Sequence, residues 1–373
     1  MTSLNSLPAL PVARSPRAIV KVAGVIVPAW TGWSVDNNTF YQADTFRVQF
    51  AANALPAETD AAWFSDQSEA FVEIFAGFPA DPMNFSETDL TSLIYGRVDD
   101  IDYDPVSTTI TLTGRDLTAA FIDAKTSIQY QNLTSSQIAT KLAEAHGLTP
   151  VVTATKTRAG NIYAYDHVRQ MDQRSEWDLI SFLADEEGFL AYVKGRELHF
   201  EPRPEGDGDP YEIRWEVDEQ GLPAANVEDL VLSRSLTVAK GVTVVVRSWN
   251  AKQAKGFTAY YPSKGKTTQP GKASPFGNQQ IYTIVRGGLT QDQATQLAQR
   301  THREITQHEM KLRARLPADD LLTTTTKLRL SGTNTKFDQD YYVDAITRSM
   351  SLSEGYAMTV SAKNHNPETV PSP

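Results

Sequence analysis

A chain of 373 residues exceeds what one hydrophobic core usually serves, so two or three domains are expected. It contains no cysteine, which excludes disulfides, thiolate metal sites and cysteine nucleophiles and accords with synthesis in a reducing cytosol. The net charge of −10 is unevenly spread. Residues 230–291 hold no Asp or Glu, while Arg234, Lys240, Arg247, Lys252, Lys255, Lys264, Lys266, Lys272 and Arg286 supply nine positive charges, the pattern of either an electrostatic contact or a solvated lysine-rich loop.

Along the chain, Pro8, Pro11 and Pro16 make residues 1–17 an extended N-terminal arm. The arm lacks the basic start and apolar run of a secretory signal, and no stretch reaches the ~18 apolar residues of a membrane span. Five alternating runs follow by residue 114: AIVKVAGVIV, TFRVQFAA, FVEIFAG, LIYGRVDDIDY and TTITLTG. They suit a small barrel over residues 18–124. The period then changes. TSSQIATKLAEAHG predicts a helix with Thr134 as N-cap, Gln137 as its capping-box partner and Gly147 just past its end. A second helix is predicted from Ser175 to Gly188, followed by a hairpin, FLAYVKGRELHFEP, so residues 125–205 read as a small α/β insert. GVTVVVRSWN is taken to open a second barrel with a long loop and a helix over residues 206–365, before a tail at 366–373. The helix is LTQDQATQLAQRTHREITQHEMKL, with Thr290 as cap. The fold class expected is mainly β (α+β), with two similar β-barrel domains and an α/β insert.

The two barrels share a hairpin. VDDIDYDPVSTTITLTGRD (residues 98–116) matches VDAITRSMSLSEGYAMTVSAKN (residues 343–364), and FVEIFAG resembles KLRLSG upstream of each. The match predicts a three-strand meander present twice, although β-propensity alone makes meanders alike. Val98 and Ile101, like Val343 and Ile346, are three apart and cannot share a face of a regular strand, so each copy needs a bulge or burial on both sides.

Motifs for chemistry are absent. Lys264-Gly265-Lys266-Thr267 has Tyr260 where a phosphate loop needs glycine. His302, Glu304, His308 and Glu309 lack zinc-protease spacing, and Asp100, Asp102 and Asp104 lack the glycine spacing of a calcium loop. No catalytic, cofactor or metal residue is assigned, and the chain reads as a non-enzyme. The interaction expected is instead at the aperiodic loop of residues 250–280, where Lys252, Lys255, Lys264, Lys266 and Lys272 accompany Phe257, Tyr260, Tyr261 and Phe276.

Gly114-Arg115-Asp116-Leu117 ending a β-domain, the tract from Trp177 to Phe200, and a second β-domain opening with VTVVVRSWN together resemble the baseplate hub proteins of tailed phages. The likeness is to the Mu-type tail hub and late control D family, related to contractile-phage hubs and to the N-terminal part of type VI secretion spike proteins, and it covers about residues 18–365. It implies a homotrimer in the virion baseplate whose two barrels per chain form a ring, adapting a six-fold tail tube to a three-fold spike. The implied partners are the tail tube or distal tail ring, a separate central spike and other baseplate proteins, with DNA only as passing cargo. Two alternatives stay open: a hub of a type VI or tailocin-like machine, and a cell-wall hydrolase or glycan-binding tail component.

Overall fold

The computed structural model describes residues 3–5, 15–39, 41–126, 130, 133–156, 174–202, 208–217, 220–236, 242–250, 255–262, 280–306 and 309–364. The first part of the chain supplies β1 (Arg17–Val22), β2 (Val25–Ile26), β3 (Trp30–Asn38), β4 (Thr45–Ala51), α1 (Ala61–Ser65), β5 (Phe71–Gly77), β6 (Thr91–Asp104) and β7 (Thr109–Asp116). A second group comprises α2 (Thr118–Asp123), β8 (Lys125–Thr126), α3 (Ser135–Ala145), β9 (Thr149–Val152), β10 (Arg174–Ser175), α4 (Glu176–Glu187), β11 (Phe189–Lys194) and β12 (Glu197–Pro202). Then come β13 (Tyr211–Val217), β14 (Pro223–Ala225) and β15 (Asp229–Arg234), followed by β16 (Val242–Asn250), β17 (Lys255–Tyr261), β18 (Gln280–Val285) and α5 (Gln291–Thr306). The chain closes with β19 (Met310–Pro317), β20 (Lys327–Ser331), β21 (Asp340–Ser351) and β22 (Gly355–Lys363).

Fourteen strands share one sheet. Its first half runs β1-β5-β6-β7-β4-β3 and its second β13-β20-β21-β22-β19-β15, so strands come in the same chain order at equivalent places. The halves differ at one position, because β1 is antiparallel to β5 whereas β13 is parallel to β20. Among the described strands neither half closes into the expected barrel. β3 does not return to β1; it pairs antiparallel with β21 of the other half, Asp36 opposite Thr347, which welds the halves into a continuous sheet. One apolar core lines both halves, from Val20, Val35, Phe50 and Ile110 to Leu312, Tyr341, Ile346 and Val360.

The bulge required by the repeated VD-x-I pattern is present in both copies. Register shifts between Val98 and Asp100 opposite β7, and between Val343 and Ala345 opposite β22. Val98 faces Gly114 and Val343 faces Ala362; Ile101 faces Leu112 and Ile346 faces Val360. The extra residue is an aspartate each time, and each is held by the cation at the matching place on the next strand. Arg115 donates to Asp99 through Nε at 2.7 Å and Nη2 at 3.0 Å, and Lys363 Nζ donates to Asp344 at 2.7 Å. A further register shift lies between Ile74 and Phe75, where β6 carries the extra residue, Leu93.

Two smaller units sit beside this sheet. In the first, α3 and α4 pack Ile138, Leu142, Trp177, Ile180 and Leu183 against Leu198 and Phe200 of β12. Both helices carry the capping boxes their sequences specify, Thr134 with Gln137 and Ser175 with Asp178, and α4 ends at Gly188 with φ 72°. The second corrects a sequence reading. VTVVVRSWN does not enter the large sheet; β16 is the centre of a separate three-stranded sheet, β17-β16-β18. The two branches of valines explain this: Val242, Val244 and Val246 bury against Ala294 and Ala298 of α5, a complete core of its own.

Candidate functional site

The nine residues proposed as an interaction loop divide sharply. Lys252, Lys264, Lys266, Lys272 and Phe276 lie outside the described residues. Lys255, Phe257, Tyr260 and Tyr261 belong to β17, which is a strand and not an aperiodic loop, paired antiparallel with β16. Period-2 alternation then separates the aromatics. Phe257 and Tyr261 turn to the core side, and the Tyr261 ring meets that of buried His302 edge-on at 5.0 Å. Tyr260 lies on the opposite face, opposite Val245.

The opposite face is mixed and partly exposed, with Val245 at its centre 5 % exposed and Thr243, Arg247, Thr258 and Thr283 among its residues. α5 covers one side of the three-stranded sheet, and the other presents Trp249 (58 % exposed), Ile281 (67 %) and Val285 (79 %) beside Tyr260 (37 %). Trp249 lies along Gly256, where an added Cβ would come within 3.0 Å of its ring. The sequence reading missed Trp249, Ile281 and Val285. The signal was available, because a strand with apolar residues on both faces implies two covered sides, and VTVVVRSWN and QIYTIV are both of that kind.

A second polar constellation lies along the β3–β21 seam. Arg348, 4 % exposed, donates from Nε to the Asp319 carbonyl at 2.9 Å and from Nη2 to the Leu322 carbonyl. Asp319 accepts from Tyr211 Oη at 2.7 Å, and burial with this carboxylate holds the Tyr211 phenol well above its ordinary range. Thr347 Oγ1 donates to Asp36 across the seam. At its end, Asp44 accepts from Asn38 N at 2.7 Å and Asn37 Nδ2 at 2.8 Å, yet burial outweighs these bonds and raises its pKa from 3.8 to about 6. Asp116 is raised too, by burial first and by the Asp44 charge second. Every group here is bound to another part of the chain, so the seam is a weld.

Histidines and acids take structural places. His146 contacts Glu176 at 2.5 Å, His199 stacks on Tyr192, and burial lowers the pKa of His302. Glu309 pairs with Arg234 at 2.8 Å. Asp104 caps the β6–β7 turn by accepting from Val106 N and Ser107 N, while Asp100 and Asp102 are exposed on β6. Among the described residues no three His, Cys, Asp or Glu side chains are grouped to hold a metal ion.

No family model and no curated protein matches the chain in sequence. Solved structures do. A tail protein from Neisseria meningitidis superposes with a TM-score of 0.66 at 12 % identity, covering 94 % of this chain and 96 % of that one. The fold is that of phage tail proteins. The 43 kDa tail protein of prophage MuSo2 from Shewanella oneidensis gives 0.62 at 15 % identity, covering 93 % and 98 %. A component of the E. coli type VI secretion system gives 0.50 at 12 % identity over 93 % of this chain and 77 % of its own length. Near-complete coverage of the tail proteins means that both sheet halves and both α/β units have counterparts.

Proposed function

We propose that this chain is a structural hub of a phage tail baseplate, three copies of which close into a ring around the tail axis. The observation that carries the reading is the repetition inside the large sheet. Strand order, bulge and ion pair recur in its two halves, so three chains would offer six nearly equivalent modules, the arrangement that meets six-fold and three-fold neighbours together. The likeness to phage tail proteins supports the setting. In this reading the large-sheet strands of residues 18–124 and 206–365 carry the ring, and residues 125–205 and the β16–α5 unit stand beside it. The tail tube or distal ring, a separate spike and other baseplate proteins are its neighbours. The exposed face of β16–β18, with Tyr260 and Trp249, is one place where such a neighbour docks.

The likeness to the type VI component favours a second reading with the same architecture, a hub in a secretion or tailocin-like machine. A cell-wall hydrolase would instead clear peptidoglycan in a zymogram, and no clearing is expected. The test of the hub reading is the mass of the full chain at high concentration by sedimentation. Three copies are expected, and a stable dimer or a monomer at every concentration contradicts it.

A further inference from the structure

The weld between the halves exists once within the chain, although the repetition provides the parts for two. β21 pairs with β20 through residues 340–342 and then hands the same edge to β3 through residues 345–351. β6 behaves alike at first: it pairs with β5 through residues 91–97, and beyond Val98 that edge carries no described partner strand. The counterpart of β3 is β15, which pairs with β19 alone among the described strands. The acceptor edge in the first half and the donor strand in the second are therefore both left over. We propose that residues 99–104 of β6 and the strand β15 pair with each other between adjacent copies of this chain. The proposal rests on the ring reading and specifies its joint.

The register follows from the internal match. Val98 corresponds to Val343, so Asp102 corresponds to Thr347. Arg115 corresponds to Lys363, their partners Thr45 and Lys311 correspond, and the partners of those, Asp36 and Ser233, correspond in turn. Since Thr347 lies opposite Asp36 within the chain, Asp102 lies opposite Ser233 between chains, and Asp104 opposite Val231. The chemistry is conserved with roles exchanged. Thr347 donates to Asp36 in the existing weld, and the Ser233 hydroxyl donates to Asp102 in the new one.

Two further observations agree with this joint. Tyr103 and Val231 are large apolar side chains left about half exposed, 52 % and 53 %, on these two strands, one on each face of the proposed joint. Charge is complementary as well. Asp102 and Asp104 would face Lys311 and Arg313 of β19 across the single intervening strand, because Ser233 pairs with Lys311 and Val231 with Arg313. An exposed strand edge is a row of unmet backbone donors and acceptors, and strand addition satisfies it without rearranging either partner.

The chain has no cysteine, so a disulfide can report the contact cleanly. In the full-length chain, Asp102→Cys with Ser233→Cys, and separately Asp104→Cys with Val231→Cys, should give covalent dimers and trimers under mild oxidation at concentrations where sedimentation shows the trimer. Asp102→Cys and Ser233→Cys chains should cross-link when mixed and fail to when each is oxidised alone. A native trimer in which neither pair forms a disulfide overturns the strand pairing and leaves the ring reading standing. A chain that stays monomeric and uncross-linked overturns both. All four positions are exposed on their strands; Asp104→Cys removes the cap of the β6–β7 turn, whereas no described hydrogen bond rests on the Asp102 or Ser233 side chain, so that pair decides the test.

Discussion

Asp116 and Asn364 hold the same place in the two halves, one an ionisable carboxyl and the other a neutral amide. Asn364 exchanges two backbone bonds with Met310, its N donating to the Met310 carbonyl and its Oδ1 accepting from Met310 N at 2.8 Å. Asp116, whose N donates to the Asp44 carbonyl, is buried beside a second carboxylate and capped by Thr118. A carboxyl raised in the folded state adds its full stability below the unfolded value near 3.8 and loses it as pH climbs through the folded value, about 6 for Asp44. The melting temperature should therefore fall between pH 5 and pH 8. Asp116→Asn should raise it more at pH 8 than at pH 5, and an equal shift at both would contradict the account. A similar exchange appears in volume. Phe46 lies over Gly96 and Gly114, where a Cβ on Gly114 would approach the Arg97 carbonyl oxygen to 2.1 Å and the Phe46 ring to 2.6 Å. The second half fills the matching places with Leu312, Tyr341 and Ala362. Gly114→Ala should cost about 1–3 kcal/mol or more in denaturant unfolding, the usual range for overpacking. Adding Phe46→Leu should recover only part, because the backbone oxygen stays where it is; full recovery would place the conflict in the ring alone.

At the scale of elements, the pattern was most legible where one residue type has one use. Thr134 with Gln137 and Ser175 with Asp178 marked helix starts that the structure reproduces as capping boxes. The spacing of Val98 and Ile101 demanded a bulge, and the bulge is there. Two features were not legible, for physical reasons. Alternation says which residues share a face and leaves open which sheet the strand joins, so β16 was assigned to the wrong sheet. Prolines and glycines across residues 250–280 masked β17, because a strand of seven residues flanked by such segments reads as loop. Tyr261 belongs to the core against α5, so its removal tests stability, whereas Tyr260 and Trp249 test docking. Trp249→Ala with Tyr260→Ala should leave the melting temperature within about 2 °C, given how little exposed sites contribute. It should reduce incorporation into tails at least tenfold, on the order of the 1.4 kcal/mol that one buried aromatic anchor exceeds. Undiminished incorporation would remove this face from the list of contacts.

Across the whole molecule, the sequence resemblance pointed to the fold that the structure and its neighbours display, while the closed barrels it suggested gave way to one continuous sheet. Sequence could not show this. Whether a strand edge closes on its own half or on the other depends on pairing between residues more than 300 apart, such as Asp36 with Thr347, and no local pattern encodes that choice. Of the nine residues read from sequence as an interaction loop, Tyr260 lies on the exposed face of its sheet, and its apolar neighbours were hidden because Trp249, Ile281 and Val285 come together only when β16 and β18 pair in parallel. The central claim is that two halves of one sheet make three chains nearly six-fold. Electron microscopy of the assembled full-length chain tests it most directly: the account predicts a closed three-fold ring with six similar lobes and a continuous sheet running through every joint. An open filament, a two-fold dimer, or a ring in which successive chains meet through the α/β units alone would contradict it.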